Sequence, residues 1–323
     1  MMNNSIKEIR DLIFSGKNIA ISAHTSPDGD AIGASCALAM AINETGGKAK
    51  VFIEKYSDTF DVIPVNGVAE HSINDFKPDI YIAVDCGDIQ RLGDFTEVYN
   101  NTPVRINIDH HKSNTYFGMY NYVDDKSSSS SEIIYLIIRD LFSKFSNPED
   151  IAACIYSGMV FDTGGFRHTS TSPQTLLFAS ELIKYNFNFN KIYNTIFNTR
   201  KYEEAKAMGK ALCNMKSCSE GKIVYSYILE EEIAQCGTTS DGLSEIVNYL
   251  KGISGCETAV FVYEKSKGIF KVSMRSEDKV DVALVAVKFG GGGHAKAAGC
   301  TIESENVETV LKNIICEIEK SLA

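Results

Sequence analysis

Short apolar runs of strand length alternate with longer helix-like runs through the first half of the chain. NIAISAH (18–24), KAKVFIE (48–54), IYIAVDC (80–86) and VRINIDHH (104–111) carry Val, Ile and Ala with few charges inside. Such runs fit strands buried on both faces, as a parallel sheet requires. Between the first two, 30–45 reads as a helix with an apolar face of Ile32, Cys36, Ala39 and Met40, stopped by Gly46 and Gly47. After Asn121 the pattern turns mainly helical through 132–145, 150–165 and 173–185. The fold class expected is α/β, a doubly wound, mainly parallel sheet with helical additions.

The segment 188–216 is helical in pattern and more charged, and reads as a connecting linker. Beyond it KIVYSYIL, TAVFVYE and IFKVSMRS read as strands, with Lys267 and Gly268 at a hairpin turn. Helix-like VDVALVAVKF, the glycine-rich GGGGHAKAAG, a short strand and a terminal helix over 306–322 complete a smaller α/β domain. The expected organisation is a catalytic domain over 1–187, the linker over 188–216 and a second domain over 217–323. No internal repeat is present, and KSSSSSE (126–132), the one low-complexity stretch, reads as a loop and helix cap.

Composition narrows the function. At 323 residues and 44% hydrophobic content the chain can bury more than one core. It has no apolar run of membrane-spanning length, and MMNNSIKEIR lacks the basic-then-apolar pattern of a signal peptide, so a soluble, cytoplasmic protein is expected. Nine scattered cysteines without a C-x-x-C pair read as small core residues in a reducing compartment. A net charge of −10 argues against coating a long duplex, whose affinity comes from many phosphate contacts, and leaves room for a small anionic substrate.

The chemistry gathers where apolar runs end. AHTSPDGDAIG (23–33) sets His24, Asp28 and Asp30 in one turn between a strand and a helix. Asp85 ends the next run, with Asp88 three residues on; Asp109, His110 and His111 end another; Asp162 ends a helix-like run before two glycines. Any one of these aspartates is more often a cap or turn former. Together His24, Asp28, Asp30, Asp85, His110, His111 and Asp162 exceed what one metal ion needs and suit two sharing a carboxylate, a pair able to clamp the attacking and leaving oxygens of a phosphoryl group. Mixed oxygen and imidazole donors suit Mn²⁺ first, with Mg²⁺, Co²⁺ or Zn²⁺ behind it.

HTSPDGDAIG, VDCGD, DHH and FDTGG, in this order and spacing, resemble the DHH phosphoesterase superfamily. GGGGHAKAAG resembles the signature of its DHH-associated C-terminal domain, and the likeness extends from about Ile19 to Thr301. In size the chain is most similar to the nanoRNases that also act as 3′-phosphoadenosine 5′-phosphate (pAp) phosphatases. That resemblance implies two Mn²⁺ ions, with Mg²⁺ or Co²⁺ as substitutes: one held by His24, Asp28 and Asp85, the other by Asp30, Asp85, His110 and Asp162. It implies that His111 faces the scissile phosphate and that Asp109 orients a metal-bound imidazole. Asp85, Asp109 and His111 are thus the candidate catalytic group.

A physical reading of the glycine run has Gly290–Gly293 exposing successive N–H groups as an anion cradle beside His294 and Lys296. Arg275 can grip a terminal phosphate bidentately. By resemblance, Ser273, Arg275, Gly291, Gly292, Gly293 and His294 hold the nucleotide end of the substrate, and Arg167 is a further candidate for phosphate. The expected partners are short RNA, linear dinucleotides and pAp, with no membrane and no long duplex; a homodimer is an expectation of resemblance alone. The rival activities are a cyclic dinucleotide phosphodiesterase, a single-strand exonuclease and a manganese pyrophosphatase. The rival of a different class is a nucleotide-binding regulator, which would require a missing ligand, and none is missing.

Overall fold

A computed structural model describes residues 3–65, 67–73, 76–240 and 243–322. The chain up to Thr199 gathers into one unit and the chain from Arg200 into another. The first runs α1 (Ile6–Ile13), β1 (Asn18–Ser22), α2 (Gly29–Glu44), β2 (Lys48–Phe52), β3 (Ala69–Glu70), β4 (Ile80–Val84), α3 (Thr96–Asn101), β5 (Val104–Asp109) and β6 (Tyr120–Val123). It continues through α4 (Ser130–Ile138), α5 (Pro148–Asp162), α6 (Pro173–Leu182) and α7 (Phe189–Tyr193).

These strands form one parallel sheet in the order β3-β2-β1-β4-β5-β6. The four apolar runs are its centre, and both faces are covered. Ile19, Ile21, Ile82 and Val84 pack toward the core shared with α2, α4 and α5, while Ala20, Tyr81 and Ala83 pack against Phe52, Phe95 and Tyr99 on the other side. That two-sided burial is why β1 (NIAIS) and β4 (IYIAV) lack hydrophobic alternation, whereas β2 and β5 on either side of them carry Lys48, Lys50, Arg105 and Asn107 between their apolar residues. The chain leaves β1 toward β2 and β3, then returns to β4 on the opposite flank. Between β1 and β4 the order reverses, and the carboxyl ends of the strands diverge into a crevice there. Past the outer edge of β6, the Asn4 N–H donates to Asn121 O at 2.7 Å and the Asn3 amide brackets Val123, accepting from its N–H at 2.9 Å.

Asp28 starts α2 by accepting from the N–H groups of Asp30 and Ala31 at 3.0 and 3.1 Å, and Gly46 takes φ +90° just past its end. The expectation of a single apolar face on this helix is corrected. Every residue from Gly29 to Ile42 is buried, because α2 lies between the sheet and the pair α4 and α5.

The second unit runs α8 (Tyr202–Cys213), β7 (Lys216–Cys218), β8 (Ile223–Ile228), α9 (Glu230–Cys236), α10 (Ile246–Lys251), β9 (Thr258–Ser266), β10 (Ile269–Ser276), α11 (Val282–Val287), β11 (Gly292–His294), β12 (Ala297–Glu303) and α12 (Val307–Leu322). Its sheet has the order β11-β12-β10-β9-β8-β7, antiparallel except between β8 and β9. Val262, Val272 and Met274 pack toward Val285, Val310 and Ile314 of α11 and α12. On the other face Val224, Phe261 and Tyr263 pack toward Ala207, Ala211, Ile233 and Val247 of α8, α9 and α10. The helical stretch 188–216 is divided: Ile192 of α7 joins the first unit's core, while Ala207 and Ala211 of α8 join the second's.

Candidate metal centre

Three neighbouring strand ends and two helices bring the candidate ligands together. His24 follows β1, Asp28 and Asp30 open α2, Asp85 follows β4, Asp109 ends β5 with His110 and His111 behind it, and Asp162 closes α5. Asp85 takes φ +54°, a left-handed conformation that turns the chain off β4 and that Asp tolerates better than most residues. His24 Nε2 stands 3.7 Å from Asp28 Oδ2 and 3.5 Å from Asp85 Oδ2. His110 Nε2 stands 3.6 Å from Asp85 Oδ1 and 3.0 Å from Asp162 Oδ2. Donor atoms of His24, Asp28 and Asp85, of Asp30, His110 and Asp162, and of Asp85, His110 and His111 each lie within 4.8 Å of one another. Asp85 therefore turns one oxygen to each side of the cluster.

Electrostatics show what kind of group the cluster suits. Burial, followed by the charges of Asp85 and Asp162, holds the Asp30 carboxyl well above the usual carboxylate range. Burial likewise raises Asp162, with Asp85 adding to it against the pull of His110. Burial disfavours charge on His24, yet the adjacent Asp28 and Asp85 carboxylates prevail and push it up to about 10. His110 is pushed up to about 10 as well, Asp162, Asp30 and Asp85 outweighing its burial. Crowded carboxylates and imidazoles with this much demand for positive charge are a donor set that fits hard divalent ions. The 3.5–3.7 Å separations around His24 are too long for good hydrogen bonds and close to the ~3.0–3.4 Å expected between two donors that share an ion at ~2.1 Å. His24 Nδ1 lies 2.8 Å from the Thr25 carbonyl, a contact that assigns the proton to Nδ1 and leaves Nε2 free to ligate.

In the second unit, strand register places the other candidates. Arg275 pairs with Ala297 and Ala297 with His294, so Arg275 and His294 share one face across three strands. Ser273 pairs with Gly299 and Gly299 with Gly292, two residues further along the same face. Ala297, Gly299 and Gly292 carry little or no side chain, so Ser273, Arg275 and His294 stand over a low floor. Arg275 is half-buried, and its guanidinium Nη1 donates to the Met274 carbonyl at 3.0 Å; burial lowers its pKa.

Comparison with known proteins agrees with this layout. The DHH family, N-terminal domain, matches residues 18–159, and the DHHA1 domain matches 220–320. The bifunctional oligoribonuclease and PAP phosphatase NrnA of Bacillus subtilis is 31% identical over 287 residues, covering 88% of this chain and 90% of that protein. The chain belongs to the DHH family. The Thermus thermophilus protein of the same name is 27% identical over 320 residues, covering 94% and 90%. A crystal structure of an exopolyphosphatase-related protein from Bacteroides fragilis superposes with a TM-score of 0.84 at 25% identity, covering 98% of this chain and 95% of that one.

Two expectations, one from the family resemblance and one from the physical reading of the glycine run, need correction. Asp109 orients His111, not the candidate ligand His110: its Oδ1 lies 2.7 Å from His111 Nδ1, and the Asn114 amide donates to its Oδ2 at 2.6 Å. Two residues along the chain bring the His111 ring over Asp109, whereas His110 points across to Asp162. That hydrogen bond raises the His111 pKa, with burial opposing. The glycine run is also not an open cradle of four N–H groups. Gly290 and Gly291 donate to the Val287 and Ala286 carbonyls and end α11, and Gly292 and Gly293 enter the edge strand β11. Lys296 pairs with Asp278, 2.8 Å away. Arg167 is exposed on the loop after α5, its Nε donating to Gly164 O at 2.7 Å; Asp88 caps a short helix through the Gln90 N–H. The serine run, read from the sequence as a loop and helix cap with hydroxyls that could line the cleft, contains Ser130 and Ser131, whose N–H groups both reach Asp30, a contact sequence reasoning did not name. Their signal was a serine run opening a helix in S-x-x-E spacing.

Proposed function

We propose that this DHH-family chain is a metal-dependent phosphoesterase that hydrolyses very short oligoribonucleotides and linear dinucleotides to 5′-mononucleotides and removes the 3′-phosphate of pAp. What carries the reading is a near full-length likeness to proteins named for those two activities, joined to a ligand set with every member in reach. His24, Asp28 and Asp85 hold one ion and Asp30, Asp85, His110 and Asp162 the second, with Mn²⁺ favoured by the donor types over Mg²⁺ or Co²⁺. When bound, the ions polarise the phosphoryl oxygens and make a water nucleophilic near neutral pH.

The chain's own residues do the rest. Asp109 fixes His111 through Nδ1, so the imidazole turns its Nε2 edge to the phosphate and, in its protonated form, stabilises charge that builds on its oxygens. Arg275, His294 and Ser273, together with the glycines Gly291, Gly292 and Gly293, hold the nucleotide end, with the guanidinium taking a terminal phosphate. Arg167 is the remaining candidate for phosphate.

One assay separates this from its rivals. Metal-stripped protein is resupplied with Mn²⁺ or Mg²⁺ and given pAp, pGpG, RNAs of rising length, a cyclic dinucleotide, single-stranded DNA and pyrophosphate. Turnover is expected to be fastest with pAp and the shortest RNAs. Fastest cleavage of long DNA or pyrophosphate refutes the reading, and turnover of none of them points to a nucleotide-binding regulator.

A further inference from the structure

The serines from Ser127 to Ser131 are all buried, an unusual place for five consecutive hydroxyls. Each needs a partner or a purpose, since an unpaired buried hydroxyl is costly. Ser129 caps α4 by accepting from the Glu132 N–H at 3.1 Å, and Ser128 donates to the buried Glu132 carboxylate. Ser130 differs because it looks outward from the helix toward the metal cluster. Its N–H donates to Asp30 Oδ2 at 2.6 Å, and its hydroxyl donates to Asp85 Oδ1 at 3.0 Å. The N–H of Ser131 takes the other Asp30 oxygen at 2.9 Å. One helical turn therefore grips two carboxylates that arrive on α2 and after β4.

The two grips do different things. Asp30 is clamped by backbone, whose direction α4 fixes whatever the side chains are. Asp85 is held by a side chain, at the oxygen that also lies 3.6 Å from His110 Nε2, while its other oxygen faces His24 at 3.5 Å. Rotation of that carboxylate about Cβ–Cγ would carry both oxygens off their two clusters together. We propose that Ser130 is a positioning residue, its hydroxyl setting the rotation of the Asp85 carboxylate so that one oxygen serves each ion site. The proposal rests on the two-ion reading above.

Ser130→Ala isolates the hydroxyl, because alanine keeps the backbone N–H on Asp30 and is a good helix former. Ser128→Ala is the control from the same run, acting on Glu132 only. Chelator-stripped full-length wild type and both variants are titrated with Mn²⁺ by calorimetry, and kcat and KM for pAp are measured. S130A is expected to lose about 10–100-fold in Mn²⁺ affinity, with a fall in kcat and little change in KM, the range typical of groups that orient ligands. S128A is expected to keep wild-type Mn²⁺ affinity. S130A with unchanged Mn²⁺ affinity, or S128A losing as much, overturns the positioning role. Should alanine unfold the start of the helix, Ser130→Cys, similar in volume and weaker as a donor, is expected to show the same direction of change, and its absence overturns the proposal equally. A wild type that takes up no Mn²⁺ overturns the two-ion reading itself, a result distinct from variants matching a metal-binding wild type.

Discussion

Glycine at position 33 lets α2 and α5 approach until their backbones touch, and adding one methyl there tests whether the site depends on that approach. A Cβ on Gly33 falls 2.4 Å from the Cys154 carbonyl oxygen and 3.1 Å from the Gly158 nitrogen, both backbone atoms that no rotamer change can move. The helices must part by about 0.6 Å to relieve the first contact to 3.0 Å. Overpacking of this kind costs about 1–3 kcal/mol, while exchanging glycine for alanine inside a helix returns about 1 kcal/mol. Gly33→Ala is therefore expected to lose up to ~2 kcal/mol in stability. The activity loss should be larger in proportion, since α2 bears Asp28 and Asp30 and α5 bears Asp162: displacement approaching 1 Å costs roughly 100-fold, so a fall of about 10-fold or more is expected. Gly209→Ala supplies the opposite sign. Gly209 is exposed on α8 with nothing within 4 Å of its virtual Cβ, so the same substitution should stabilise by about 0.4–1 kcal/mol and leave turnover alone. Urea unfolding followed by far-UV circular dichroism and pAp hydrolysis measure both. A G33A protein as stable and active as wild type, or a destabilised G209A, refutes the reasoning.

Asp85→Asn keeps the side-chain shape and tolerance of φ +54° while removing the shared charge, so it should fold normally and lose at least about 1,000-fold in kcat; retention of full hydrolysis in a steady-state assay would sink the two-ion mechanism. Arg275→Ala should raise KM for pAp by about 10-fold or more with kcat within a few-fold, and a fall confined to kcat would remove the guanidinium from substrate binding. Stripping metal should lower the melting temperature, and Mn²⁺ should restore it by about 2.7 kcal/mol of stability at 100 times its dissociation constant. Scanning calorimetry showing no response to Mn²⁺ would count against the site.

How much was legible depended on where a residue's partners lie. The strands β1 and β4 announced themselves because burial on both faces leaves nearly unbroken apolar runs, β2 and β5 because Val, Ile and Phe recur between their polar residues, and His24, Asp85 and His110 stood out because each follows such a run. Short edges such as β3 and β6 carry no such run. The all-round burial of α2 was invisible because Ser35 and the glycines read as polar or neutral, although small residues are what permit so close an approach to α5. Asp109 reads from the sequence as an orienting group and hydrogen-bonds an imidazole, and the choice between two adjacent imidazoles is made by side-chain direction at the end of β5. Ser130 meets Asp30 and Asp85 only through tertiary structure, across 100 and 45 positions of sequence.

The edges of the two sheets bear on a different matter, whether the protein sticks to itself. Three of the four outermost strands have two or three residues: Ala69–Glu70, Lys216–Cys218 and Gly292–His294. The fourth, β6, has part of its outer rim covered by Asn3 and Asn4. A foreign strand finds little contiguous backbone to pair with on any of them, which is how natural sheets resist stacking edge to edge. β11 serves both ends at once, because Gly292, which keeps the face around Arg275 low, also makes a poor template for a growing aggregate. Lengthening that strand, or placing valine at Gly292, where a Cβ meets nothing within 4 Å, would give a stickier protein and crowd the face beside Arg275.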